Sequence, residues 1–396
     1  MDGQIIATVG QALGQFLGGF RSCFGNIRAF DNFIVYCQGL AARISKNVET
    51  IAHEAGKGVR ALQCFLTQGD WDHQRVRDQL QRRVARKHCP APGQERDGSE
   101  LVIGLIDEHG EPKSGNKTPG VKRQYLGCLG KTDNGIVTVH LGIQRGSFST
   151  LLDSQLFLPR DWAEDRPRCR EAGIPDEMGH RSKPTIALEL LDRALGNGVR
   201  FDFLTFDELY GRSMPFLRGL EQRGQYYVAE VPCNFRCHGR RPQYRSLQRA
   251  FTPCEVRNLR THGADFRSQP WRSVRIRRQT REPQQWQVRS GRVYLELEDG
   301  GPSKHPYRLI VAHQPETGEY KYFISNAPQQ TSEQTLLKAA FSRAEVEHQF
   351  RTAKQKLGLG DYEGRSYVGL IRHHILCILM MLFAAEQRAA QADFFP

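Results

Sequence analysis

The run Leu101-Val102-Ile103-Gly104-Leu105-Ile106 constrains the fold more than any other stretch of this chain. Six apolar residues without alternation suit a strand buried on both faces, which requires covering layers above and below it. The run follows His88–Glu100, where Pro90, Pro92, Gly93, Gly98 and Ser99 among charges mark a linker. Upstream, residues 1–87 carry apolar positions at helical spacing. Downstream, Lys122–Leu129 and Gly135–Ile143 read as strands, with a turn-like Asp133-Asn134-Gly135 between them. Pro184 then opens a helix that Gly198 closes, and Phe201–Phe206 and Tyr226–Val231 are further strands. Three strands followed by alternating helix and strand predict a mixed α/β sheet.

Residues 232 to about 330 break that alternation with short strand-like runs at Val293–Leu297, Tyr307–Val311 and Tyr320–Ile324. Residues 333–391 return to helix. The expected organisation is a helical domain at 1–92 and an α/β domain beginning at 93–231. A β-rich insertion follows at 232–332, and the α/β domain ends in helices at 333–396.

Charge narrows the partner. The chain has 396 residues, 39% of them hydrophobic, and a formal net charge of +13. From Arg240 to Arg292 there are fourteen arginines and no lysine, against Glu255, Asp265 and Glu282, which gives +11 in 53 residues. Arginine without lysine suits bidentate phosphate contacts and stacking on bases, so double-stranded DNA is the expected partner. Arg240, Arg241, Arg272, Arg275, Arg277 and Arg278 are the candidate contacts, with Trp271 and Trp286 interleaved. Either tryptophan would hold a displaced base or serve as core of a small β domain. Within the N-terminal helices, Val59–Leu66 and His73–Lys87 flank Thr67-Gln68-Gly69-Asp70. Val76, Leu80 and Val84 lie on one face of the second, while Arg75, Arg82, Arg83, Arg86 and Lys87 add charge elsewhere. That pattern fits a helix-turn-helix on DNA, and equally a solvated basic face on a helical pair.

A membrane is not expected, because the longest apolar run, Ile375–Ala385, is shorter than a bilayer requires and follows Arg372-His373-His374. No basic residue precedes Arg21, as a secretory signal would need. Ten cysteines without a regular framework fit a reducing, cytoplasmic setting. Cys233, Cys237, His238, Cys254 and His262 cluster, but no clean second ligand pair follows Cys-x3-Cys, so inert cysteines are the expectation over zinc.

Three carboxylates stand out. Asp107 and Asp207 each follow a predicted strand, where functional groups of open α/β sheets gather, although a strand-ending aspartate also serves as a turn or cap. The spacing predicts a helix over Phe341–Lys356, with Arg343, Glu347 and Lys354 on one face. Glu345 points about 200° away from Arg343 by the helical period. Phe350 is placed to lean the Glu347 face toward the core.

Asp107, the stretch Arg123–Lys131, Thr205-Phe206-Asp207-Glu208-Leu209-Tyr210-Gly211 and Arg343-x3-Glu347-x6-Lys354 together resemble DDE transposases of bacterial insertion sequences. Leu158–Pro175 and Tyr362-Glu363-Gly364-Arg365-Ser366 to His373 also fit the resemblance. The branch it resembles has a β-rich insertion before the last carboxylate. A tyrosine expected three residues before Arg343 is replaced by Ala340. The resemblance implies an RNase H-like catalytic domain with Asp107, Asp207 and Glu347 as catalytic, metal-binding carboxylates. It also implies a dimer assembled on DNA, which cuts at the ends of its element and joins the freed 3′-hydroxyls to target DNA.

The physical chemistry agrees with that implication. Clustered carboxylates stay ionised only around a cation, and an all-oxygen site suits Mg²⁺ or Mn²⁺. Two such ions about 3.5–4 Å apart serve an in-line displacement at phosphorus. Arg343 and Lys354 would hold substrate phosphates. Two other readings stay open: a catalytically silent, domesticated DNA-binding regulator, and an RNase H-like nuclease.

Overall fold

A computed structural model describes residues 3–42, 44–90, 101–239, 253–262, 266, 269–278 and 281–394. The chain divides into two compact units, one of residues 1–95, 107–200 and 347–396, the other of residues 96–106 and 201–346. Both contribute to a mixed α/β, RNase H-like fold preceded by a helical N-terminal region.

The first unit begins with five helices: α1 (Gly3–Gly18), α2 (Ile27–Ala41), α3 (Val48–Glu54), α4 (Val59–Thr67) and α5 (His73–His88). Asn26, Asn47 and Asp72 start α2, α3 and α5 by accepting the N–H of Ala29, Thr50 and Gln74, each at 2.8 Å. The two helices predicted on either side of Thr67-Gln68-Gly69-Asp70 form as α4 and α5, with Val76, Leu80 and Val84 buried. Arg75, Arg82 and Arg86, at i, i+7 and i+11, form an exposed stripe. Arg83 is committed elsewhere, in a bidentate pair with Glu386 at 2.8 and 2.7 Å, and Lys87 reaches the same carboxylate.

Strand β1 (Ile103–Pro112) is joined by β2 (Lys122–Leu126), β3 (Lys131–Arg145) and β4 (Phe148–Leu156). In the first unit the order is β2-β3-β1; β2 pairs with residues 131–135 of β3 and β4 with residues 138–145. The predicted turn at Asp133-Asn134-Gly135 lies instead inside β3. The β2–β3 register pairs Leu126 with Lys131, so the chain reverses at residues 127–130, where Gly130 takes φ +63°. Asn134 spends its amide on the carbonyls of Lys113 and Gly115, at 2.6 and 2.8 Å, and so pins a neighbouring loop. Helices α6 (Arg160–Glu164), α7 (Arg166–Glu171) and α8 (Lys183–Gly196) follow, α8 capped by Ser182 and ended at Gly198, which has φ +88°.

The second unit holds β5 (Phe203–Phe206), α9 (Glu208–Gly211), α10 (Met214–Gln222) and β6 (Tyr227–Val231). The first residues of β1 pair in parallel with β5, and β5 pairs in parallel with β6. The insertion then adds β7 (Arg236–His238), β8 (Cys254–Glu255), α11 (Val256–His262), β9 (Arg272–Arg278), β10 (Arg281–Leu295), β11 (Tyr307–Gln314) and β12 (Glu319–Ser325). Its strands are antiparallel, and β12 pairs with β6, so the insertion extends the sheet of this unit. β10 and β11 outrun the apolar runs that announced them, because ladder pairing continues through arginine and glutamine.

The predicted helix over Phe341–Lys356 is broken. Helix α12 (Glu333–Ser342) ends with Arg343 as its C-cap, and α13 (Ala344–Leu357) starts directly after. The last helix, α14 (Tyr367–Phe394), returns to the first unit. Tyr367–Ala389 within it is the one described stretch long and apolar enough to cross a membrane, and 89% of its most apolar window is buried inside the protein. It packs on α2, α4, α5 and β4. The linker expected at 88–100 falls mostly on residues outside the described ones, as do Arg240 and Arg241.

Arg372, 7% exposed, is the polar anchor of α14. Its guanidinium donates to the carbonyls of Phe65, Leu66, Gly69 and Trp71 and stacks on the Trp71 ring at 4.6 Å. These carbonyls lie where α4 ends and the chain turns into α5. Arg372→Ala should therefore destabilise the protein by about 3 kcal/mol, since it strips several buried acceptors of a charged donor. Arg372→Lys should recover only part of this, because an ammonium lacks the planar fork. Urea unfolding followed by circular dichroism measures both.

Candidate active site

Asp107 and Glu347 belong to the first unit, and Asp207 and Arg343 to the second. In both β1 and α13 the chain passes from the second unit into the first at a candidate carboxylate, between Ile106 and Asp107 and between Val346 and Glu347.

In the first unit, β1 continues past Asp107 to Pro112, so Asp107 lies within the strand and does not end it. By the two-residue alternation of a strand, Asp107, His109 and Glu111 share a face. Asp107 is half-buried and Oδ1 accepts the Glu108 N–H at 2.8 Å. On α13, Glu347, Phe350 and Lys354 follow at i, i+3 and i+7, one side of the helix. Phe350 is buried and stacks on the His109 ring at 5.3 Å, with the His140 ring edge-on at 4.9 Å. Gln349 fixes the same turn to the sheet by donating to the Ile143 carbonyl and the Ser149 hydroxyl, at 3.2 and 2.7 Å. The expectation that Phe350 leans this face inward is met. Glu347 remains exposed, and Glu345 is buried.

Behind this pair lies a buried ionic cluster that the motifs did not announce. Both Glu111 oxygens are buried, one 3.4 Å from His374 Nε2 and the other 3.4 Å from Lys113 Nζ. Burial alone would push its carboxyl up, but His374, Lys113 and His109 hold it well below the usual carboxylate range. Burial pushes the His109 ring down to about 4, and Lys354 and His374 add to that against Glu111. His140 is likewise held neutral by burial. Only one sequence signal exists: polar residues at 109 and 111 in an element that opens as a continuous apolar run.

In the second unit, Asp207 follows β5 directly and N-caps α9, accepting the Leu209 N–H at 3.0 Å. Gly211 lets that turn approach β6; a Cβ there would stand 1.9 Å from the Glu230 carbonyl oxygen. Glu230, buried on β6, pairs with Lys321 at 2.6 Å and with Arg343 at 3.2 Å. Arg343 is thus held on a carboxylate just beyond the end of α12. Glu208 beside Asp207 is raised by burial and by Glu230. A lone glutamate in the apolar strand Tyr227–Val231 was the signal for Glu230.

The insertion separates its two tryptophans. Trp286 is fully buried against Phe341, ring centroids 5.2 Å apart, and is a core residue. Trp271 is half-exposed in a ladder of cations and rings. Arg289 sits 4.3 Å over Trp271, and Arg260 4.0 Å over Tyr320, which stacks on His313 at 4.3 Å. Arg272 and Arg275 are exposed, the former paired with Glu333 at 2.5 Å. Arg277 and Arg278 lie on β9. Cys237 and Cys254 face each other across β7 and β8, Cys237 with its thiol pushed up by burial. All ten cysteines are free thiols, and among the described residues no three His, Cys, Asp or Glu side chains gather into a ready-made metal site. Taken singly, Asp107, Asp207 and Glu347 each offer carboxylate oxygen, a donor that suits hard divalent cations better than zinc, and Glu347 faces water.

The fold points to a class. A family of DDE superfamily endonucleases matches residues 19–292, more than half of the chain, and the chain belongs to that family. Asp107 and Asp207 lie inside the matched span and Glu347 outside it. The chain is also 29% identical over 249 residues to a probable transposase for insertion sequence element IS701 from Microchaete diplosiphon. That match takes in 60% of each protein, so the chain spans about three-fifths of the length of this curated relative.

The Phe350–His109 stack is the contact that seats the Glu347 helix on the Asp107 strand. Phe350→Ala should cost about 3 kcal/mol and abolish divalent-dependent DNA cleavage, while Phe350→Leu keeps most stability and part of the activity. Thermal unfolding and a nicking assay on the same preparations check this.

Proposed function

We propose that the protein is a transposase that binds the ends of an insertion sequence, cleaves DNA there and joins the freed 3′-hydroxyls to target DNA. The observation that carries this reading is the seating of the Glu347 face of α13 on the Asp107 face of β1, in a chain of the DDE endonuclease family. Asp107, Asp207 and Glu347 are the residues that would hold the divalent cations, Mg²⁺ or Mn²⁺. A bound pair of such ions would supply nucleophile activation and stabilisation of the leaving 3′-oxygen.

The protein's own groups supply position and charge. Lys354 stands one helical turn beyond Phe350, close enough to bear on His109, and offers its ammonium to a substrate phosphate. Arg343 is kept extended on Glu230 and exchanges that carboxylate for a phosphate when DNA is bound. The neutral rings of His109 and His140 pack the floor beneath without adding charge. The exposed stripe of α5 and the arginines of the insertion, with half-exposed Trp271, hold the duplex outside the cleavage point. Cutting and joining two ends in one complex calls for a dimer assembled on DNA.

Asp107→Asn, Asp207→Asn and Glu347→Gln should each abolish Mg²⁺-dependent cleavage of DNA carrying the element ends and leave binding intact. Gel analysis after incubation with end DNA and target plasmid decides among readings. Cleavage with joining supports the proposal; cleavage alone indicates a nuclease, and binding alone a regulator. Full cleavage by any of the three variants would overturn the site. Alanine at Arg272 and Arg275 should flatten the salt dependence of binding by roughly one unit of logarithmic slope per lost phosphate contact, read by fluorescence anisotropy.

A further inference from the structure

A cavity of about 530 Å³ opens in the first unit, away from Asp107 and Glu347. Its lining draws on two stretches that the cleavage chemistry leaves unused, Leu158–Pro175 and Tyr362–Ser366. Trp162 forms the floor: its ring is buried and its indole N–H donates to the Val121 carbonyl at 2.8 Å. Arg168 lies over that ring at 3.7 Å and is tethered by a 2.8 Å bond to the Asn116 carbonyl. One face of the guanidinium is therefore taken by Trp162, and the other lines the cavity. Arg365 and Lys117 stand at the rim. Lys117 pairs with exposed Glu171 at 2.9 Å, and Arg365 donates no hydrogen bond among the described residues. The other rim carboxylate, Asp165, is already used as N-cap of α7.

A guanidinium stacked over Trp162 and two exposed cations at the rim are a chemical description of the ligand. Flat π-systems stack on guanidinium planes, and phosphates are drawn to the rim. The volume is in the range of small-molecule sites and accommodates one nucleotide. We propose that this cavity binds a single unpaired nucleotide of a DNA strand, its base on Arg168 and its phosphate between Arg365 and Lys117. The proposal rests on the reading of the protein as a DNA-handling enzyme and adds to it a site for single-stranded DNA.

The test uses the full chain and two fluorescein-labelled probes of one sequence, a short single-stranded oligodeoxynucleotide and its blunt duplex, read by anisotropy. Arg168→Ala and Arg365→Ala should each weaken single-strand binding by about tenfold and duplex binding much less, as loss of one stacked base implies. Arg168→Lys, which keeps the charge without the plane, should still show most of the loss. Glu171→Gln should tighten the single strand, because it frees Lys117. Arg170→Ala, on the same helix but paired with Asp176 at 3.1 Å, is the control and should match the parent. Because Arg168 also packs on Trp162, Arg365→Ala on the exposed rim keeps the test independent of folding. Equal losses on both probes, or none, overturn the pocket while leaving the transposase reading standing. A parent protein that binds neither probe overturns both.

Discussion

Three consecutive residues on the buried helix α14 tie the first unit together. Arg372 closes the carbonyls at the α4–α5 turn; His373 lies 2.9 Å from the Tyr36 hydroxyl and 2.8 Å from the Gly358 carbonyl; and His374 meets Ser154 and Glu111. Helix rotation of about 100° per residue sends them in three directions. One reaches the N-terminal helices, one the chain leaving α13, and one the sheet. Burial makes these bonds consequential, since each polar group would be costly to leave unpaired in an apolar helix. The N-terminal helices thus share a core with residues 107–200 and 347–396.

Each candidate carboxylate is held by packing within its own unit. Glu347 is oriented because Gln349 and Phe350 hold α13 on β1 and β3, and the Glu111 cluster lies beneath the same strand face. Asp207 is set by its own cap bond and by the close approach of Gly211 to β6. Neither carboxylate sits on a long loop.

The charge excess has a finer structure than its total suggests. Part of the arginine content is spent on internal pairs, as with Arg83 on Glu386 and Arg193 on Asp153. Others are stacked on rings, Arg168 on Trp162 and Arg289 on Trp271, where the guanidinium is oriented and one face is covered. Arginine serves both purposes because its plane is rigid and weakly hydrated. An exposed stripe of Arg75, Arg82 and Arg86 remains on α5.

Apolar periodicity was enough to place the buried strand at 103–106, the helix pair α4–α5, α8 with its Ser182 and Gly198 ends, and the β-rich character of the insertion. Those signals are local, carried by burial pattern and by caps. The motifs also marked Asp107, Asp207 and Glu347 for chemistry. Local pattern misled where a long-range contact won: Asp133-Asn134-Gly135 looks like a turn, yet pairing with β2 draws it into a strand. Glu347 and Arg343 share a helical face on paper, yet the chain breaks between α12 and α13, and Glu230 claims Arg343. Trp271 and Trp286 are alike in sequence, and only packing against Phe341 makes one of them core. The sequence by itself determined the class of fold, because short-range spacing carries it. Tertiary structure alone decided which arginines are spent on internal pairs and which carboxylate stays ionised in the core, because both depend on neighbours distant in the chain.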